Sequence, residues 1–207
     1  MPIIAKDFKQ NVFINCPFDF DYQVIFHAIV FAVQIAGFKP RCALEASNAA
    51  TFRLQKIRNI ISDCKYGIHD ISRTELSPNG LPRFNMPLEF GIDYGCKEFG
   101  SNRHRSKSFL VLDRSLHRYE RFISDIKGQD VKAHNRSPKQ AMNEVRDWLS
   151  AEARVPDMSG GDYMHKRYQA FLKDLPELCR EAKKSIKKLT FGDYVEFVRV
   201  WLEENEK

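Results

Sequence analysis

Two rhythms of apolar and polar positions alternate along this chain. Residues 11–16, NVFINC, form a β-rich run that ends at Pro17. The next stretch, YQVIFHAIVFAVQIAG, sets apolar side chains at 24, 25, 28, 29, 32, 33 and 36 and stops at Gly37, which predicts a helix over 22–36 with a C-terminal glycine. FKPRCAL predicts a second strand, which Pro40 either weakens or puts at an edge. NAATFRLQKIRNIISDC is helical in pattern, with Phe52, Leu54, Ile57, Ile60 and Ile61 apolar, and YGIHDIS is the third strand. A polar loop, RTELSPNGLPRF, leads into a helix that opens NMPLEFGIDYG. Asn85 can cap that helix and Pro87 fits its first turn; Leu88, Ile92, Gly95 and Phe99 mark the face expected to be buried. SFLVLD is a fourth strand, VKAH a short fifth, and SPKQAMNEVRDWLSAE a helix with Ser137 as N-cap and Pro138 at its first position.

Strand followed by helix, repeated, predicts an α/β fold: a doubly wound sheet of four or five mainly parallel strands. Ligands of such sheets lie outside the carboxyl ends of the strands. That directs attention to residues 15–22, 41–48, 69–73 and 113 onward. The pattern changes after Pro156. MSGGD reads as a linker, and two helical segments follow, about 163–188 and 191–204, the second opened by a capping box from Thr190 to Asp193. The expected division is an α/β domain over 1–156 and a C-terminal helical hairpin over 157–207 that packs on the sheet or mediates assembly.

Composition narrows the class. The chain has 207 residues, 43% hydrophobic and 29% charged, enough for a real core. No apolar run reaches the about 18 residues a membrane helix needs. The N-terminus, MPIIAKDFKQ, predicts no signal peptide. Cysteines at 16, 42, 64, 96 and 179 are odd in number and form no CxxC pair, which argues against disulfides and zinc and suits the cytoplasm. The histidines are scattered, so no metal is implied. The formal charge of +6 gathers in CREAKKSIKKL and SNRHRSK, which read as solvated surfaces rather than a nucleic-acid face.

Two carboxylates are the first candidates for chemistry. Glu89 lies in the opening turns of its helix, where the orphan N–H groups favour an anion. Gly91 and Gly95 beside it each cost the helix about 1 kcal/mol against Ala, which suggests close approach by a backbone or a ligand. Asp70 ends the third strand, flanked by His69 and Arg73. The first turn, NCPFDFDY, has no phosphate-loop glycines, and no GxGxxG, GxxxxGKS or GxSxG occurs in the chain. Asp19, Asp21 and Tyr22 suit ribose hydroxyls or a base, and the two acids equally suit helix capping. Asn15, Phe18, Asn85 and Met86 complete the residues expected around a substrate. Arg41 and Arg53 are candidates for a phosphate, and Asp125 a further candidate in the loop before the fifth strand. Cys16 has no base beside it.

The order NVFINCPFDFD, a strand ending in Asp70, a helix opening PLEFGIDYG and a further apolar strand resembles the nucleoside 2-deoxyribosyltransferase-like superfamily. LEFGIDYG resembles its Glu-containing helix motif. VFINCPFDFD also resembles the opening of Toll/interleukin-1 receptor (TIR) domains, and residues 11–149 are similar to a bacterial group of TIR-like proteins. The resemblance implies a flavodoxin-like fold and N-glycosidic bond cleavage or transfer on NAD or a related nucleotide, with no cofactor besides that substrate. It also implies a homo-oligomer, with antiviral defence in bacteria among the roles. Glu89 would be the nucleophile or would stabilise an oxocarbenium-like transition state, and Asp70 would orient the sugar or assist the leaving base. Arg73, Arg83 and Asn85 in the long loop suit a phosphorylated substrate. A nucleotide-signal binding module and a self-associating scaffold without turnover are the alternatives.

Overall fold

The computed structural model describes residues 7–45, 51–75, 80, 83–155 and 157–205. Five strands, β1 (Asn11–Asn15), β2 (Lys39–Arg41), β3 (Tyr66–Asp70), β4 (Ser108–Asp113) and β5 (Lys132–Ala133), form one sheet in the order β2-β1-β3-β4-β5. Every pairing is parallel. The helices are α1 (Gln23–Ile35), α2 (Arg53–Ser62), α3 (Asn85–Phe99), α4 (Pro138–Ala153), α5 (Gly161–Glu181) and α6 (Phe191–Glu204). This is the flavodoxin-like α/β order, with C-terminal helices added. Its strand order reverses between β1 and β3 and opens a crevice at their carboxyl ends. Pro40 sits on the edge strand, as its missing N–H requires.

Strands buried on both faces read as continuous apolar runs, and alternate residues serve different layers. Val12, Ile14, Ile68 and Leu112 join the main core with α1 and α4. Phe13 packs against Ile57, Ile60 and Ile61 of α2 on the other face, while Phe52 and Leu54 stay exposed. Phe90 of α3 meets Ile71 and Val111 on that same second face.

Residues 28–33 of α1 are closed off from solvent on every side. A helix apolar all round needs cover all round. The sheet covers one side, and α5 and α6 cover the other. Phe31 packs against Tyr168, Phe171 and Trp201. The hairpin therefore shares the main core rather than standing as an appended domain. Its capping box at Thr190 and the Ser137 cap of α4 form as the sequence predicts. Helix α5 ends at Glu181, short of the expected 188, and Lys183 just beyond it takes a left-handed φ of 54°. No helix among the described residues is long and apolar enough to cross a membrane.

Helix α3 departs from its sequence pattern. Phe84 occupies the cap position without a side-chain bond, and Asn85 is the first helical residue. Leu88 is 55% exposed and Phe99 91% exposed. The buried face carries Met86, Glu89, Phe90 and Asp93. Buried acids defeat a purely apolar reading of the helix, and the partners of Asp93 come from outside it: His69 of β3 and Lys107 just before β4. Outside the helix's own backbone, a Cβ added at Gly91 or Gly95 would meet no atom of the described residues within 4 Å, so close packing among those residues does not explain the glycines.

Candidate functional site

Strand β1 delivers Asn15 to the crevice edge, and a fully buried chain of polar groups starts there. The Asn15 amide donates to the Met86 carbonyl at 2.8 Å and lies 3.1 Å from His69 Nδ1. His69 Nε2 lies 3.1 Å from Asp93 Oδ2, and Asp93 Oδ1 lies 3.0 Å from Lys107 Nζ. The lysine also donates to the carbonyls of Ile61 and Cys64. With the Asn15 amide donating to Nδ1, the His69 proton sits on Nε2, toward Asp93. The chain ties the first turn of α3 to β1 and its middle to β3 and β4. Gly67 is a condition of this arrangement, since a Cβ there would stand 2.7 Å from His69 Nε2 and 2.8 Å from Asp93 Oδ2.

The same helix holds Glu89 in place. The residue is only 7% exposed. Nothing among the described residues forms a hydrogen bond or ion pair with it. Burial pushes its carboxyl up from 4.5 to about 7, against the opposing pull of Arg53 at the start of α2. A carboxyl that changes charge near neutral pH is suited to proton transfer or to stabilising a developing cation.

Asp70 is bound differently. It lies on the opposite face of the sheet from α3, in line with Tyr66 and Ile68, and has no exposure. Tyr22 donates its hydroxyl proton to Oδ2 at 2.5 Å, and the Ser72 N–H donates to Oδ1 at 2.8 Å. Burial, then the Asp70 charge, pushes the Tyr22 phenol well above its ordinary value. His134, just after β5, brings Nε2 to 3.0 Å from Asp70 Oδ2, off the line of a well-formed hydrogen bond. The Arg136 N–H donates to His134 Nδ1 at 3.0 Å, which leaves the ring proton on Nε2. Asn135 and Arg136 adopt left-handed φ of 49° and 58° to make that turn, a strained conformation for both.

A cavity of about 410 Å³ opens at this edge, lined by Tyr22, Ser72, Arg73, Arg114, His134 and Arg136 among others. Asp113, buried at the end of β4, takes Arg118 Nε at 2.8 Å and the Arg114 N–H at 2.6 Å. Arg118 also donates to the Ile71 carbonyl and so links β4 to β3. A second cavity, about 740 Å³, lies among β2, the end of α1 and the hairpin, with Ile35, Phe38, Val195 and Leu202 in its wall.

The structure thus sorts the predicted residues. Asn15, His69 and Met86 come together, as the support of α3. Asp19 caps the turn into α1 and also pairs with Arg73 at 3.0 Å and Arg83 at 3.3 Å. Asp21 pairs with Arg73 at 3.4 Å, and Phe18 packs edge-on against Phe26. The Arg41 fork is taken up by Glu45 and borders the second cavity. Asn85 and Asp125 are exposed. Glu89 and Asp70 stand on opposite faces of one sheet edge and share no cavity among the described residues. Ala46, Ser47 and Asn48 of the expected 41–48 segment lie outside those residues, as does much of the loop before α3.

Sequence reading missed Arg114, Arg136, His134, Asp93 and Lys107. Each of the first three follows a strand end, which is the one signal that could have found them. Among the described residues no group of three His, Cys, Asp or Glu could hold a metal ion. Compared with known proteins, the chain matches no family model, no curated protein and no solved structure.

Proposed function

We propose that this chain cleaves or transfers the N-glycosidic bond of NAD or a related nucleotide, with Glu89 at the anomeric carbon. The observation that carries this reading is the Glu89 carboxyl: nearly closed off, without a partner among the described residues, raised to about 7, and fixed on a helix by a buried network. As the C–N bond breaks, its electron pair leaves with the base and positive charge grows on the sugar. The Glu89 anion stabilises that charge or captures the carbon, and water or a second base completes the exchange. The α3 network holds the carboxylate still, so little reorganisation is needed as the charge develops. A homo-oligomer and a bacterial defence role are parts of the same proposal that come from the resemblance alone.

A binding module without turnover is the second reading. It is favoured by Asp70, whose oxygens are engaged by Tyr22, Ser72 and His134 and which does not line the cavity. The deciding experiment incubates the protein, concentrated and dilute, with NAD and a panel of nucleosides and nucleotides. Base release is followed by chromatography beside Glu89→Gln. The glycosidic reading expects release that falls by about 10²–10⁴-fold in the variant, the range for a lost acid–base or charge-stabilising group. Ligand-induced thermal protection without release at any concentration establishes the binding module instead.

A further inference from the structure

We propose that the cavity at the carboxyl ends of β3, β4 and β5 is a phosphate site, which takes the pyrophosphate or terminal phosphate of a nucleoside diphosphate-type ligand. Three consecutive strands each send an arginine into it. Arg73 follows Asp70 of β3, Arg114 follows Asp113 of β4, and Arg136 follows the turn after β5. Three guanidinium forks from three separate loops converge on a space of about 410 Å³, within the ordinary size of a small-ligand pocket. Guanidinium forks match phosphate oxygens two at a time, and a diphosphate offers several such edges.

The lining also carries Asp21 and Glu75, which pair with Arg73 and Arg114, and Arg73 pairs as well with Asp19 at 3.0 Å. Asp21 is mostly exposed and sits 3.4 Å from Arg73, a loose contact that an entering phosphate can replace. No carboxylate among the described residues pairs with Arg136. Burial, then the nearby charges of Arg118, Arg136 and Arg73, pushes Arg114 below its ordinary value. Ser72 adds a neutral polar residue to the wall, and Tyr22 lines it as well. A left-handed non-glycine pair at Asn135 and Arg136 costs the fold free energy, and Arg136 and His134 of this turn line the cavity.

This assignment deepens the glycosidic reading by naming the phosphate end of its substrate, and rests on that reading only for the base end. The test is calorimetric titration of the full chain with ADP, pyrophosphate and adenosine at two salt concentrations. ADP and pyrophosphate are expected to bind, more weakly at high salt, and adenosine at least about tenfold less tightly, as the loss of charge-assisted bonds dictates. Arg136→Gly deletes the guanidinium while relieving the left-handed backbone, so the variant keeps its fold; it and Arg114→Ala should each weaken ADP about tenfold or more.

Equal binding of adenosine and ADP, no binding of any probe, or ADP affinity unchanged in both arginine variants would overturn the phosphate site. The two proposals fail separately. Base release from NAD with KM unchanged in Arg136→Gly and Arg114→Ala removes the phosphate assignment and leaves the glycosidic reading. Arginine-dependent ADP binding with no release of base does the reverse.

Discussion

Lys107 Nζ lies 3.0 Å from Asp93 Oδ1, and neither side chain reaches solvent. The pair sits under the sheet edge, and its second carboxylate oxygen takes up His69. Removing one member of a buried ion pair leaves the other charge without compensation, at a cost of about 3–5 kcal/mol. Lys107→Met should therefore shift the urea midpoint by a corresponding amount and loosen α3. A loss below about 1 kcal/mol would mean that the pair holds little of the fold, by the ordinary scale of exposed pairs.

Gly67 tests the same junction from the other side. Its missing Cβ is what lets His69 and Asp93 meet above β3. Gly67→Ala introduces a contact shorter than carbon tolerates against two side chains that cannot move without breaking their bonds. The expected cost is about 1–3 kcal/mol, the range for overpacking a closed interior. If hydrogen exchange along α3 in that variant matches the parent, the strain is being absorbed elsewhere.

The sequence carries most of the architecture and much less of the site. Short strands between helical periods define the parallel sheet, and Pro40 by itself marks the edge strand. The all-round apolar pattern of residues 28–33 also foretells burial, but the identity of its outer cover, α5 and α6, depends on tertiary packing. Helix α3 misleads for a physical reason. Hydrophobic periodicity assumes that acids face water, whereas Asp93 faces Lys107, fourteen positions on and just before β4. Glu89 and Asp70 are visible as unusual acids at the carboxyl edge. Which face of the sheet each takes is fixed by strand alternation and by the crossover of α3, neither of which a motif displays. Of the arginine cavity the sequence showed Arg73 and the edge after Asp113, while Arg136 stayed hidden because its left-handed turn is made by Asn and Arg rather than glycine.

Gly91 and Gly95 lie in a helix, and a Cβ at either would touch no atom of the described residues outside that helix's backbone. Alanine at either should stabilise the isolated chain by up to about 1 kcal/mol through helix propensity alone. Thermal denaturation checks that part. The functional arm is sharper: if both alanine variants are more stable yet lose base release or assembly, a ligand or a second copy approaches α3 at these positions. Unchanged activity would leave the glycines as simple weak points in the helix.

His27 gives an acid-side prediction for the hairpin. Its ring stacks on Tyr194 of α6 at 3.9 Å, and burial lowers it from 6.5 to about 4. The folded state therefore holds the ring neutral where the unfolded chain already binds a proton. Stability from this source is complete above pH 6.5 and is lost as pH falls toward 4. His27→Phe should flatten that part of the stability–pH curve, read by the denaturation midpoint between those limits. A curve of unchanged slope would show that other groups control the acid limb.

Glu89 has the opposite sign. Its carboxyl is raised from 4.5 in the unfolded chain to about 7 in the fold, so the folded protein holds the extra proton between those values. Stability therefore falls as pH rises from 4.5 to 7 and levels off above, by about 1.4 kcal/mol for each pH unit crossed in that interval. Glu89→Gln cannot ionise. It should be more stable than the parent at pH 8, and the advantage should shrink toward pH 4.5. Calorimetric melting of both proteins across that range reads the difference directly, and a gap that does not vary with pH would place the carboxyl in water. The proposed chemistry reads the same ionisation in the other direction. If the anion stabilises the sugar cation, base release should rise with pH through about 7. Stability and activity would then move oppositely over one interval, because the charge that the fold resists is the charge the reaction uses.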